Sequence, residues 1–134
     1  VYAPLFELRA FDSINDRAKA VVLIHLLEGL IAADVAYLID HPKTPWLYES
    51  GVVYEEEPDG RDNWQDIPRT IELRVGDCED LGCWRVAELR VREREHAKPI
   101  IRSSIIGNRT VYHVAIQRID GRLEDPSRRL GMRG

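Results

Sequence analysis

The sequence predicts an α+β domain, helices first and an antiparallel β-meander after them. Helical patterning of apolar residues runs over about residues 14–39 and again over 77–95. Three short alternating segments, 100–106, 110–119 and 122–125, then follow without a helix between them. They are separated by Gly107-Asn108 and Asp120-Gly121, dipeptides that favour hairpin turns. Strands joined this way pair antiparallel and lay one face on the helices, unlike the alternating order of a parallel sheet. The chain of 134 residues is one domain over 1–134, large enough to bury a core without disulfides. It divides into an arm and long helix (1–45), a loop-rich segment (46–76), a second helix (77–95) and the meander (99–127).

Residues 1–12 alternate loosely and are expected to form an edge strand or docking arm. Asp12 or Ser13 is placed to cap the first helix, and Gly29 marks a weak point or a close contact within it. The helix is expected to end between Asp40 and Pro45, with His41 capping it and His25 a hydrogen-bonded core residue. From Trp46 to Thr70 the chain carries Pro58, Gly60, Pro68 and the acidic run Glu55 to Glu57, a loop with a short strand near Gly51 to Tyr54. The second helix starts at Asp77 or Cys78. Glu79 and Asp80 lie in its first turn, where the macrodipole favours negative charge. Cys78, Gly82, Val86 and Leu89 form one stripe, small at the start, as in a helix packed closely at its N-terminus. Trp84 and Tyr112 read as core aromatics.

Composition excludes several classes. The chain is 44% apolar and 31% charged with a net charge of −4, an ordinary globular balance. Basic residues gather between Arg85 and Arg102, but Glu88, Glu93 and Glu95 interrupt them. We read a solvated helix face of alternating sign there and no nucleic-acid partner. Ala20 to Ile39 is the one stretch apolar enough to suggest a membrane span. His25, Glu28 and Asp34 within it would be costly at hydrocarbon depth, so a buried helix and no membrane are expected. No signal-peptide pattern opens the chain, which starts at Val1, and a trimmed or processed start is expected. Cys78 and Cys83 on one helix stand about 8 to 9 Å apart, too far to pair. Free thiols fit a reducing compartment, so the localisation, although open, favours a soluble cytoplasmic or virion-associated protein over a secreted one. His96 and Cys83 lack zinc-ligand spacing. Oligomeric state is not legible.

Chemistry concentrates at Cys78. A helix N-terminus stabilises a thiolate, an imidazole can take its proton, and a carboxylate can hold that imidazole in one tautomer. His113 and Asp125 are the candidates for the last two roles, and the final hairpin decides whether they meet. A two-residue Asp120-Gly121 turn pairs Ile116 with Asp125 and sends the carboxylate to the face opposite His113. A three-residue Ile119-Asp120-Gly121 loop with a bulge at Gly121 pairs Arg118 with Arg122 and Ala115 with Asp125, on His113's face. Glycine as the last loop residue favours the second register.

These residues carry a resemblance. "GDCEDLGCW", then "YHV" with its histidine thirty-five positions after Cys78, then "EDPS" with its aspartate twelve further on, resembles the transglutaminase-like branch of the papain-type cysteine enzymes. It is similar in particular to bacterial transglutaminase-like cysteine proteinases and to small phage-encoded members. The resemblance implies a minimal transglutaminase-like core with the nucleophile at a helix N-terminus. It also implies Cys78 as nucleophile, His113 as general base and acid, and Asp125 as the orienting residue. It suggests Gln65 or Trp64 as an oxyanion donor beside the Cys78 backbone N–H. Asp77, Glu79 and Asp80 match acids that bind calcium in the bacterial proteinases. Helix capping is the competing reading of those acids, and no cofactor is expected to be required. The implied activity is that of a cysteine hydrolase acting on amide bonds of a protein or peptide substrate through a thioester. A peptidase leads. A glutamine transglutaminase or deamidase and a catalytically silent protein-binding module are the alternatives.

Overall fold

The computed structural model describes residues 5–6, 16–56 and 62–133, and the fold is α+β. The expected arm over 1–12, apart from Leu5 and Phe6, the caps at Asp12 and Ser13, and the loop residues Glu57, Pro58 and Gly60 lie outside the described residues. Strand β1 (Leu5–Phe6) pairs antiparallel with β3 (Asp62–Asn63). Between them come helix α1 (Asp16–Asp40), a 3-10 turn (Leu47–Glu49) and strand β2 (Val53–Tyr54). Helix α2 (Ile67–Leu73), strand β4 (Val75–Gly76) and helix α3 (Cys78–Arg92) follow. Strands β5 (Lys98–Ile106), β6 (Arg109–Gln117) and β7 (Leu123–Glu124) make the meander, and α4 (Pro126–Arg129) closes it.

The core forms where α1 and α3 cross and where α3 lies on β6. Leu27, Ile31 and Leu38 of α1 meet Leu81, Trp84 and Leu89 of α3, all at most 2% exposed. Helix α1 has the length and hydropathy of a membrane span, yet its Leu23, Leu27, Ile31 and Leu38 stripe is spent on this core. On β6, Val114 and Ile116 face the helices. Helix α3 approaches the strand closely because Gly82 has no side chain: a Cβ there would lie 3.0 Å from Val114 Cγ1. The small-to-large stripe of the sequence is that contact.

Four sequence readings are corrected. Pro68, taken as a loop residue, sits near the start of α2, capped by Asp66 accepting from Arg69 N at 3.1 Å. A first-turn proline lacks only an N–H that the helix does not use. Val75 and Gly76, taken as part of the loop-rich segment, form β4, which pairs parallel with β2. His25 is exposed and bonds its own helix through Nδ1 to Val21 O. The charges near Arg85 face inward. Glu88 is 0% exposed, where it holds Arg85 Nη1 at 2.9 Å and the Leu47 N–H at 3.0 Å. His41 stacks on Tyr37 and bonds the Tyr37 carbonyl, which closes α1 as expected.

Candidate active site

The final hairpin adopts the register that the glycine favoured. Ile116 lies opposite Glu124 and Gln117 opposite Leu123. Arg118 N donates to Arg122 O at 2.8 Å and Gly121 N to Arg118 O at 2.9 Å. Gly121 has φ +89°, the left-handed conformation of a bulge residue. Continuing this register brings Asp125 opposite Ala115 and onto the face of His113. His113 Nε2 and Asp125 Oδ2 are 2.7 Å apart. Asp125 is fixed a second way, as the N-cap of α4: its Oδ1 accepts from Arg128 N at 3.3 Å, with Pro126 at the first helical position. The Asp-Pro-Ser element is therefore a helix start that aims a carboxylate.

An ion-pair network holds the strand that delivers Asp125. Glu124 takes Arg85 Nε at 2.6 Å and Arg118 Nη1 at 2.9 Å, and it accepts from the Tyr48 hydroxyl. Arg118 also grips Glu95 through two nitrogens at 2.6 and 2.7 Å. Burial opposes the Glu124 charge, but its arginine and tyrosine hydrogen bonds outweigh it and hold the carboxyl below its ordinary range. Sequence reading missed this network. The only signal was the density of Arg and Glu in segments already assigned to packed elements.

Cys78 opens α3 as its first residue. Asp77 is the N-cap, and a capping box links it to Asp80: the Asp77 carboxylate accepts from Asp80 N and the Asp80 carboxylate from Asp77 N. The helix brings the sulfur to β6 just past His113, where the Val114 backbone N–H can donate to it. One expectation is reversed here. Burial pushes the Cys78 thiol well above its ordinary range, Glu79 and Asp77 push it further, and the Val114 N–H only partly opposes them. The thiol donates to Glu79 Oε2 at 3.2 Å. Desolvation and two adjacent acids outweigh the helix end, which acts through partial charges. Cys83, 0% exposed, faces Leu27 O, and both thiols are free.

The remaining predicted site residues do structural work. Gln65 Nε2 spends both hydrogens, on Val75 O at 3.0 Å and Thr70 Oγ1 at 3.3 Å. That removes its amide from the oxyanion role implied by the resemblance. Trp64 is packed in the core at 2% exposure. Asp80 gives one oxygen to Gln65 N at 2.7 Å and the other to Asp77 N at 3.1 Å. Calcium needs six or more oxygens, and acids already committed to backbone N–H groups do not fit such a shell as arranged. Among the described residues, no three His, Cys, Asp or Glu side chains are grouped to hold a metal ion. Capping is the reading of Asp77 and Asp80 that the hydrogen bonds support.

The arrangement is thus an α+β domain with a histidine–aspartate pair on a sheet and a cysteine delivered to the same strand by a helix end. Comparison with protein-family models, with curated proteins and with solved structures returned no match for the chain.

Proposed function

We propose that this chain is a cysteine hydrolase of amide bonds in proteins or peptides, a peptidase of transglutaminase-like arrangement acting through Cys78, His113 and Asp125. The observation that carries the reading is the 2.7 Å contact between His113 Nε2 and Asp125 Oδ2, made on the strand that meets the Cys78 sulfur. An ionised carboxylate only accepts, so the proton of this bond belongs to Nε2. Nδ1 then carries the lone pair. The Cys78 side chain turns from Glu79, its S–H proton passes to Nδ1, and the sulfur attacks the amide carbonyl carbon. The C–N bond breaks as Nδ1–H protonates the departing amine, which leaves an acyl thioester on Cys78. Water gives a proton to Nδ1 as it attacks the thioester, the C–S bond breaks to release the acid, and Nδ1–H returns the proton to the Cys78 sulfur.

The acceptor in the second half separates peptidase from transglutaminase. The groove between α1 and α3 involves Glu28, Ile31, Val35 and Arg90 and none of the three catalytic candidates. One observation favours a second reading, the silent binding module: the resting thiol donates to Glu79 and is pushed up by its surroundings. Incubation with a protein substrate and a fluorescent primary amine distinguishes all three. New peptide termini without amine incorporation support the peptidase. Incorporation without cleavage replaces it with a transglutaminase, and neither reaction over a broad substrate panel leaves the binding module.

A further inference from the structure

The meander has an open edge on the side away from β7. In the order β5-β6-β7, no strand among the described residues lies beyond β5. Its nine residues pair with β6 without a break, from Lys98 opposite Gln117 to Ile106 opposite Arg109. Alternate residues of a strand bond opposite neighbours. Arg118 N donates to Arg122 O on the β7 side, so the even-numbered residues of β6 face β7 and the odd-numbered ones face β5. Their partners on β5 are even-numbered. That leaves the backbone N–H and C=O groups of Ile101, Ser103 and Ile105 aimed away from the sheet. Pro99 fits this parity, because a strand tolerates a residue without an N–H where that group would point off the edge.

An exposed edge is a template for another strand unless proline, lysine or a bulge blunts it. Residues Ile100 to Ile106 contain none of these. They expose Ile105 at 77% and Ile106 at 66% instead. The segment Ile-Ile-Arg-Ser-Ser-Ile-Ile is also close to a palindrome about Ser103. Laid antiparallel on a copy of itself with a two-fold axis at Ser103, it sets Ile100 opposite Ile106, Ile101 opposite Ile105 and Arg102 opposite Ser104. The outward groups of Ile101, Ser103 and Ile105 then meet their counterparts. Moving the axis to Arg102 brings two guanidinium groups face to face, and moving it to Ser104 sets Arg102 against Ile106. Like charges directly opposite destabilise a sheet and apolar pairs support it, so charge and apolar pattern together select the Ser103 register.

We propose that β5 is a homodimer interface, through which two copies of this chain join antiparallel about a two-fold axis at Ser103. The result is one continuous sheet with three strands from each copy. A second copy is the partner that fits because the edge is complementary to itself, and a contact of this kind closes with two-fold symmetry. Asp125 reaches His113 from the β7 side of β6. The candidate active sites therefore stay clear of the joint, and the inference stands independently of the hydrolase reading.

Sedimentation equilibrium of the full chain over a concentration series is expected to show a monomer–dimer equilibrium. Ser103→Pro removes the outward N–H at the axis and spares the bonds between β5 and β6, and it is expected to raise the dissociation constant at least about tenfold. Exposed Ser104 tests the register without touching the backbone. Ser104→Glu offers a carboxylate to Arg102 of the second copy and is expected to lower the constant about threefold, whereas Ser104→Arg is expected to raise it by as much. Ser103→Cys is expected to link two copies by a disulfide under mild oxidation, because residues paired at the axis have Cα atoms about 5.5 Å apart. Peptide mass mapping identifies that link against the native thiols. A monomer at every concentration overturns the proposal. So does a dimer that folded Ser103→Pro leaves intact, a reversed order of the two Ser104 variants, or a dimer that forms no disulfide through position 103. If Ser103→Pro fails to fold, the Ser104 pair and the disulfide decide.

Discussion

Three carboxylates of the helical half and two at the sheet live in opposite surroundings, although Glu28 and Glu88 of the helices are also paired with arginines. Asp34 on α1 and Glu79 and Asp80 on α3 are at most 9% exposed. Among the described residues no arginine or lysine bonds them, and burial drives all three well above the ordinary carboxyl range. Glu95 and Glu124, at the sheet, are bonded by Arg118 and Arg85, and both are held below that range. Burial therefore makes these helical acids hold their proton more tightly, whereas the arginines at the hairpin make Glu95 and Glu124 release theirs more readily. Cys78 belongs to the first environment, and His113 with Asp125 stands beside the second. The reaction proposed for them needs a proton to pass from the first to the second.

The largest effect expected from breaking this arrangement is on turnover. His113→Ala is expected to lower kcat/KM on a cleaved protein substrate by about a thousandfold or more. Asp125→Asn, which still caps α4, is expected to lower it by about a hundredfold with the melting temperature little changed. Full activity in His113→Ala would remove the catalytic reading. Next comes Glu124→Ala, which leaves Arg85 with Glu88 and Arg118 with Glu95 as their remaining carboxylate partners. Loss of these charge-assisted hydrogen bonds in a part-buried site costs about 1.5–3 kcal/mol, measurable by urea unfolding, and a loss under about 0.5 kcal/mol would show that the network is ornamental to the hairpin.

The two halves also predict opposite pH dependences. Asp34 accepts from Ile67 N at 2.9 Å through one oxygen, and its other oxygen is buried without a hydrogen-bond partner among the described residues. Its carboxyl is raised above the ordinary value of 3.8 in the folded state, so the folded state binds the extra proton. Stability falls as pH rises from that value toward the folded pKa, with a slope of at most about 1.4 kcal/mol per pH unit. Asp34→Asn is expected to flatten this fall between pH 4 and 8 in urea titrations. A parallel curve would mean that Asp34 ionises freely. Glu95 gives the smallest effect and the reverse sign. Its Arg118 bonds hold it at about 2 against an ordinary 4.5, so it adds stability above 4.5 that is lost as pH falls toward 2. Partial exposure screens the gain to below about 1 kcal/mol. Glu95→Gln is expected to remove that acid-side loss and to leave the neutral range almost unchanged.

Much of the sheet side of the site was legible in local sequence. A bulge needs a left-handed residue, Gly121 supplies it at the last loop position, and the three-residue loop then puts Asp125 on His113's face. Cys78 at a helix start was legible from Asp77 and the acids after it. The state of the thiol was not. Its burial arises only when α3 docks, and together with the adjacent Glu79 and Asp77 it opposes the effect that the helix end alone would have. Helix α2 was missed because Pro68 was weighed as a breaker, although Asp66 two residues earlier marks a start. Gln65 was assigned from its position ahead of the nucleophile, but the Val75 carbonyl and the Thr70 hydroxyl claim its amide.

By itself the sequence determined the order of α1, α3 and the meander, the cap of α3 and the register of the last hairpin. Each of these depends on dihedral preferences and hydrogen bonds between residues a few positions apart. Tertiary structure decided which charges face inward. Arg85 and Glu88 read as a solvated face until Leu47 N, 41 positions away, and Glu124, 39 positions away, became their partners. It also decided that β2 lies beside β4, just ahead of α3, because a parallel pairing carries no turn signal in the intervening chain. Burial and long-range pairing depend on which surfaces meet, and local preference cannot encode that choice.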